Sequence, residues 1–201
     1  MNGQKITFND IRTSSGITSI PTKLALNKSI ILDPKLFDSL SSESLNHRKR
    51  TYDFDVFLPD YNVKLQRPYV WESHQQKNFI VNVLLGKPID EFIVVEDEDA
   101  DNNVVVFVID GKQRLMTIRK FIHNQFPITV FGKDVYYDDF DTELKTLFRR
   151  YVNSFVATVY YSDSYARISD KDKIVLFNYY NFSGTPQTEE HKEMLEKLIG
   201  E

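Results

Sequence analysis

The sequence predicts an α+β fold, and three features of the chain point there. Val104 to Ile109 is a run of six β-branched or aromatic residues, the composition of a buried strand. Asp110-Gly111 then marks a turn, after which Leu115, Ile118, Phe121 and Ile122 recur at helical spacing. Elsewhere strand and helix patterns follow one another without the regular βαβ alternation of a doubly wound fold. With 201 residues, 41% of them hydrophobic and 13% aromatic, the chain can bury a sizeable core.

Taken in order, residues 1–20 are polar and weakly periodic and read as an arm. Ile30 to Leu32 suits a short strand, and Asp33-Pro34 supplies a cap and a first-turn proline for a helix through Leu40. Ser41 to Arg50 is polar and charged and forms the best boundary, which divides the chain into an N-terminal extension, 1–50, and a domain, 51–201. Tyr52, Phe54, Val56 and Leu58 alternate as a strand. Pro68 forces Arg67 into extended backbone. Ser73 is placed to cap a helix reaching Leu85, with Phe79, Ile80, Val83 and Leu84 as its buried face and Gly86 and Pro88 as its stop. Phe92 to Val95 and Val104 to Ile109 form the next strand pair. The acidic loop between them, Glu96 to Asn103, lacks the glycine and glutamate of a calcium loop and reads as a solvated hairpin tip. It stands at the far end of its strand from Asp110. Ile128 to Phe131 and Val135 to Tyr137 make a hairpin turning at Gly132-Lys133-Asp134. Asp141 to Tyr151 is helical, Ser154 to Tyr161 a strand, Ser169 and Asp172 open a helix containing Ile174, Phe177 and Tyr180, and Thr188 caps a last helix with Met194, Leu195 and Leu198.

The turn between Ile109 and Leu115 is the chemically informative stretch. A helix start leaves backbone N–H groups without partners, and with the helix dipole these attract anions. Asp110 and Gln113 also stand at capping-box spacing, so the turn admits a purely structural reading. Lys112 and Arg114 fit that reading poorly, because the dipole disfavours cations in a first turn. A protein carboxylate can satisfy them; so can a bound phosphate, through charge-assisted hydrogen bonds of roughly 1.5–3 kcal/mol each. Arg67 is open in the same way, between a ligand role and a stem packed on Tyr69 or Trp71.

Composition narrows the classes. There is no cysteine, which removes disulfides, thiolate metal sites and thiol nucleophiles. A net charge of −4 argues against a general electrostatic grip on nucleic acid, leaving His47 to Arg50 and the Lys112/Arg114 pair as local basic features. No apolar run approaches a membrane span and the N-terminus has no signal-peptide core, so a cytoplasmic protein without a membrane partner is expected.

Three segments, Gln66-Arg67-Pro68-Tyr69-Val70-Trp71, Asp110-Gly111-Lys112-Gln113-Arg114-Leu115, and Phe177 with Asn181 and Gly184-Thr185-Pro186, resemble the GmrSD-type N-terminal domain family of the ParB/sulfiredoxin-like superfamily. The likeness runs from about Val56 to Glu190, with Gly86-Lys87-Pro88-Ile89 between the first two segments. It implies a ParB/sulfiredoxin-like mixed sheet with surrounding helices, and a central DGQQR-like motif that holds phosphates. It further implies a setting in restriction of modified phage DNA or in phage counter-defence, the host cytoplasm being the location if the protein is phage-encoded. Carried over, Asp110 orients a water or a divalent metal, Gln113 positions water or a phosphate oxygen, and Arg114 neutralises phosphates. Gln66, Arg67, Gly111, Lys112, Asn181 and Thr185 complete the nucleotide contacts. Lys112 replaces the more usual glutamine of the motif, which adds charge at the phosphate end.

The leading expectation is a Mg²⁺-dependent nucleoside triphosphatase that works slowly, by positioning and electrostatic stabilisation. The rival is a non-catalytic module that binds DNA or a separate nuclease or defence protein, in either case compatible with an oligomer. A third is a metal-dependent DNA nuclease with Asp110 as a ligand. His47, His74, His123 and His191 are scattered and form no paired-histidine nuclease signature.

Overall fold

The computed structural model describes residues 5–14, 41–43, 49–153, 155, 157–160, 168–181, 190, 193–194 and 197–198. The chain divides into two compact units, and both are assembled from separated segments. Unit 1 comprises Met1–Asp38, Tyr69–Asp90 and Gln113–Val156; unit 2 comprises Ser39–Pro68, Glu91–Lys112 and Ala157–Glu201.

Unit 2 contains the main sheet. Its strands are β1 (Ser41–Glu43), β2 (Lys49–Asp53), β5 (Phe92–Glu98), β6 (Val104–Asp110) and β9 (Ala157–Tyr160), in the order β1-β2-β6-β5-β9. β2 runs parallel to β6 and β9 parallel to β5, whereas β5 and β6 form an antiparallel hairpin with a register shift at Ile93/Val94. The sheet is mixed, and with its helices the fold is α+β. A two-stranded ribbon, β3 (Phe57–Leu58) with β4 (Val63–Lys64), belongs to the same unit. Val56, Leu58, Leu65, Ile93, Val95, Ile109, Ile174 and Phe177 form its core, the last two from helix α5 (Asp170–Asn181). Burying such side chains contributes about 1.5–3 kcal/mol each. Asp99 ties the β5–β6 hairpin tip by accepting from the backbone of Asp101 and Asn103, at 2.9 Å each.

Unit 1 holds α1 (Phe8–Ser14), α2 (Ser73–Leu84), α3 (Lys112–Ile122, from Gln113 on), the β7–β8 hairpin (Ile128–Val130, Lys133–Val135) and α4 (Thr142–Asn153). Its core centres on Phe121, whose ring lies 5.6–5.9 Å from Phe126, Tyr137, Phe140 and Phe148. Tilted and edge-on pairs of this kind contribute about 0.5–1.5 kcal/mol each beyond burial. Leu144, Phe148 and Val152, one helical turn apart, give α4 its buried stripe, and Asp141 caps it by accepting the Leu144 N–H at 2.7 Å.

Several local expectations change. The strand starting near Tyr52 stops at Asp53, because the Asp53 carboxylate accepts the N–H groups of Asp55, Val56 and Phe57 and folds the chain into a turn. Glu72, not Ser73, caps α2, in a reciprocal box with Gln75. The β7–β8 turn falls one residue or more earlier than its composition suggests, at Phe131-Gly132, both with positive φ (49° and 74°), as a two-residue hairpin loop requires. The helix start at Ser169 and Asp172 is present, the Asp172 N–H donating to the Ser169 hydroxyl at 3.1 Å. The strand and helix expected over 30–40 lie outside the described residues, as does Thr188. Of the last helix, Met194 and Leu198 are helical and pack on the unit 2 core.

Candidate functional site

The chain passes between the units inside both leading motif segments, after Pro68 and after Lys112. Within unit 2, Gln66, the strand end at Ile109 and Asn181 come together. Gln66 is buried, 8% exposed, and its Nε2 donates to the carbonyl oxygens of Val108 and Ile109 at 2.7 Å each. Asn181, in the last turn of α5, donates through Nδ2 to the same Ile109 carbonyl at 3.2 Å and to the Phe177 carbonyl at 3.0 Å. Side chains from two of the three motif segments thus meet at the carbonyl of Ile109, the residue immediately before Asp110 of the other.

Asp110 ends β6, and Gly111 makes the turn with φ of +101°. A Cβ there would lie 2.2 Å from the Phe92 ring, so the position excludes side chains on both conformational and steric grounds. The helix opens at Lys112, which puts Gly111 rather than Asp110 at the cap position. Lys112 is 5% exposed, and its ammonium lies 2.7 Å from Asp55 Oδ1. The other oxygen of Asp55 accepts from Lys64, also at 2.7 Å. The hydrogen bonds from Lys112 and then Lys64 hold the Asp55 carboxyl below the usual carboxylate range. Asp55 was not among the residues singled out from sequence, since a lone aspartate in an apparent strand carries no signal. Arg67 follows Gln66 directly, is half-buried, and has no hydrogen-bond or ion-pair partner among the described residues.

In unit 1, Gln113 is 9% exposed, and its Oε1 accepts the N–H groups of Val70 and Trp71, at 2.9 and 3.3 Å. Arg114 donates to the Asp90 carbonyl. Tyr69 is fixed by its hydroxyl against Thr117 Oγ1 at 2.8 Å and by the Lys120 ammonium 3.9 Å above its ring. Gln113 and Arg114 therefore each hold backbone of a neighbouring segment in place. Thr185 and His191 lie outside the described residues.

A separate cleft of about 370 Å³ in unit 2 is lined by Asp53, Phe57, Asp97, Phe107 and Lys173, among others, and none of the sequence-predicted site residues lines it. Lys173 there lies 3.3 Å from Asp170 and 4.2 Å above the Phe107 ring. Among the described residues no group of three or more His, Cys, Asp or Glu side chains is placed to hold a metal ion, and no helix is long and apolar enough to cross a membrane.

No curated protein and no solved structure matches the chain. A family model does, that of the GmrSD restriction endonuclease N-terminal domain, over residues 41–199. All three converging residues, Gln66, Ile109 and Asn181, fall inside the matched stretch, and the chain belongs to the GmrSD N-terminal domain family of restriction systems.

Proposed function

We propose that this domain binds a nucleoside triphosphate together with Mg²⁺ at the Asp110–Arg114 turn and hydrolyses it slowly, within a phage-restriction or counter-defence system. The observation that carries this reading is the convergence of Gln66 and Asn181 on the Ile109 carbonyl, which sets the strand end and Arg67 in fixed register. Arg67, without a partner among the described residues, supplies a cation for phosphate. The helix opening at Lys112 supplies backbone N–H groups and the positive end of its dipole. Arg114 is the second cation of this reading, its guanidinium donating to the Asp90 carbonyl.

Mg²⁺ is commonly held by one or two carboxylates and the substrate phosphates, and Asp110 at the strand end suits that role without a protein cage. When bound, the ion would neutralise phosphate charge. Asp110 would orient it or a water, Gln113 would keep the Val70–Trp71 segment in place, and the arginines would stabilise charge that develops in the transition state. No covalent nucleophile is needed.

Phosphate release from the four ribonucleoside triphosphates with Mg²⁺, compared between wild type, Arg114→Ala and Arg67→Ala, tests this reading. Turnover lost by at least about tenfold in either variant supports the assignment, following the usual cost of removing one charge-stabilising donor. Turnover equal to wild type in both variants overturns it.

A second reading, contact with DNA, draws on the partition of charge. The segments of unit 1 hold 14 Lys and Arg against 10 Asp and Glu, and those of unit 2 hold 11 against 19, so the overall −4 conceals a basic unit. DNA affinity that falls with salt and ignores nucleotide is its signature.

A further inference from the structure

The Asp53–Val56 turn is costly to form and has no evident need to exist for the ribbon that follows it. Val56 is fully buried and β-branched, yet it adopts φ of +51°, a region such residues avoid. The turn is over-determined: the Asp53 carboxylate accepts from Asp55 N at 2.9 Å, Val56 N at 2.8 Å and Phe57 N at 2.9 Å. Leu65 N donates to the Val56 carbonyl at 3.0 Å from the other side. Strain held this firmly is found where geometry matters more than stability.

What the turn presents is Asp55. Its side chain receives Lys112 on Oδ1 and Lys64 on Oδ2, and its backbone carbonyl accepts the Gln66 N–H at 3.0 Å. Gln66 in turn reaches the Ile109 carbonyl at 2.7 Å, three residues before Lys112. These contacts close a ring, Asp55 to Gln66 to Ile109, along the turn to Lys112, and back to Asp55, entirely within unit 2. Only the Lys112 side of the pair is buried, and solvent at the Asp55 carboxylate screens the attraction, so the pair is better explained by the register it imposes than by stability.

We propose that Asp55 is a positioning residue for the central turn, locking the Lys112 end of the turn to the Gln66–Arg67 segment. Lys112 is thereby a structural anchor whose ammonium is engaged by Asp55, and Arg67 is the cation that this segment of unit 2 presents to phosphate. The functional half of this proposal rests on the nucleotide reading above; the structural half does not.

The test is a cycle of Asp55→Asn, Lys112→Gln and the double variant, read by affinity for whichever of Mg·ATP, Mg·GTP, Mg·CTP or Mg·UTP the wild type binds, and by hydrogen exchange at the Gln66 N–H. Asp55→Asn is expected to weaken nucleotide binding by about tenfold and to accelerate Gln66 exchange, because Lys112 loses its anchor. Lys112→Gln breaks the same pair and should weaken binding to a similar extent, and the double variant should lie within about threefold of Lys112→Gln, since the two side chains act as a pair. Folded Asp55→Asn with wild-type affinity, or a double variant about tenfold weaker than Lys112→Gln, overturns the proposal. If Asp55→Asn does not fold, the comparison of the double variant with Lys112→Gln decides: a double about tenfold weaker means the carboxylate acts outside the pair, which also overturns it. If the wild type binds none of the four nucleotides, the nucleotide reading fails by itself. Gln66 exchange then decides for Asp55, acceleration in Asp55→Asn and Lys112→Gln alike supporting it and wild-type exchange in Asp55→Asn overturning it.

Discussion

Gln66 donates from one amide nitrogen to two successive backbone carbonyls, those of Val108 and Ile109, at 2.7 Å each. A β-strand normally turns adjacent carbonyls to opposite sides, so a side chain that reaches both marks the place where β6 leaves the regular ladder. Gln66→Leu removes this buried donor, taking its bond from the Val108 carbonyl and leaving the Ile109 carbonyl to Asn181. The expected cost is about 1–3 kcal/mol, read as a lower urea midpoint with an unchanged slope.

Gly111 meets two demands that no other residue satisfies together, a φ of +101° and a Cβ position 2.2 Å from the Phe92 ring. Gly111→Ala should destabilise by about 2–4 kcal/mol, summing backbone strain and overpacking. Adding Phe92→Leu should recover only part of the thermal midpoint, because it makes space without changing φ. Full recovery would mean that sterics alone fix the glycine.

Asp55 has its folded-state pKa below the ordinary aspartate value of 3.8, through hydrogen bonds from Lys112 and Lys64. The unfolded chain then binds the proton more readily, so the stabilisation is fully present above about pH 3.8 and fades as pH falls through the lower folded value. With its side chain 43% exposed, solvent screens the pair and softens the effect. Urea midpoints measured from pH 6 to about pH 2.5 should fall more steeply below pH 4 in wild type than in Asp55→Asn/Lys112→Gln. Parallel profiles would show that other carboxylates govern the acid limb.

Tyr69 is held by burial above its ordinary value of 10.0, so its phenol favours the neutral form in the folded state. Its contribution is complete below pH 10 and is lost as pH rises through the higher folded pKa. Tyr69→Phe should cost about 1 kcal/mol at neutral pH, through the lost bond to Thr117, and should flatten the stability profile above pH 10.

Lys120→Met tests the cation over the same ring, 3.9 Å from its centroid. Because the ammonium is partly solvated, the loss should be about 0.5–1 kcal/mol. A larger loss at low salt that vanishes at high salt would point to a wider electrostatic role for α3.

Sequence by itself determined the elements whose signals are local. The apolar run of β6, the helical stripe of α3 and the Ser169 cap of α5 need only neighbouring residues, and each is in the structure. It also placed Gln66, Gly111, Gln113 and Asn181 among residues of interest, though not what they touch. Tertiary structure decided the partners. For Lys112 the sequence leaves open whether a carboxylate or a phosphate is the anion it needs, and the fold supplies a carboxylate, Asp55, 57 positions earlier. Asp55 itself stood in an alternating pattern that reads as strand, because periodicity registers apolar spacing and is blind to a carboxylate two residues upstream that folds the backbone into a turn. Long-range pairings of single polar groups leave no periodic trace in a chain. They arise only when sheet and helix packing bring distant backbone together, and here that packing, not the motif's spelling, pairs Lys112 with Asp55.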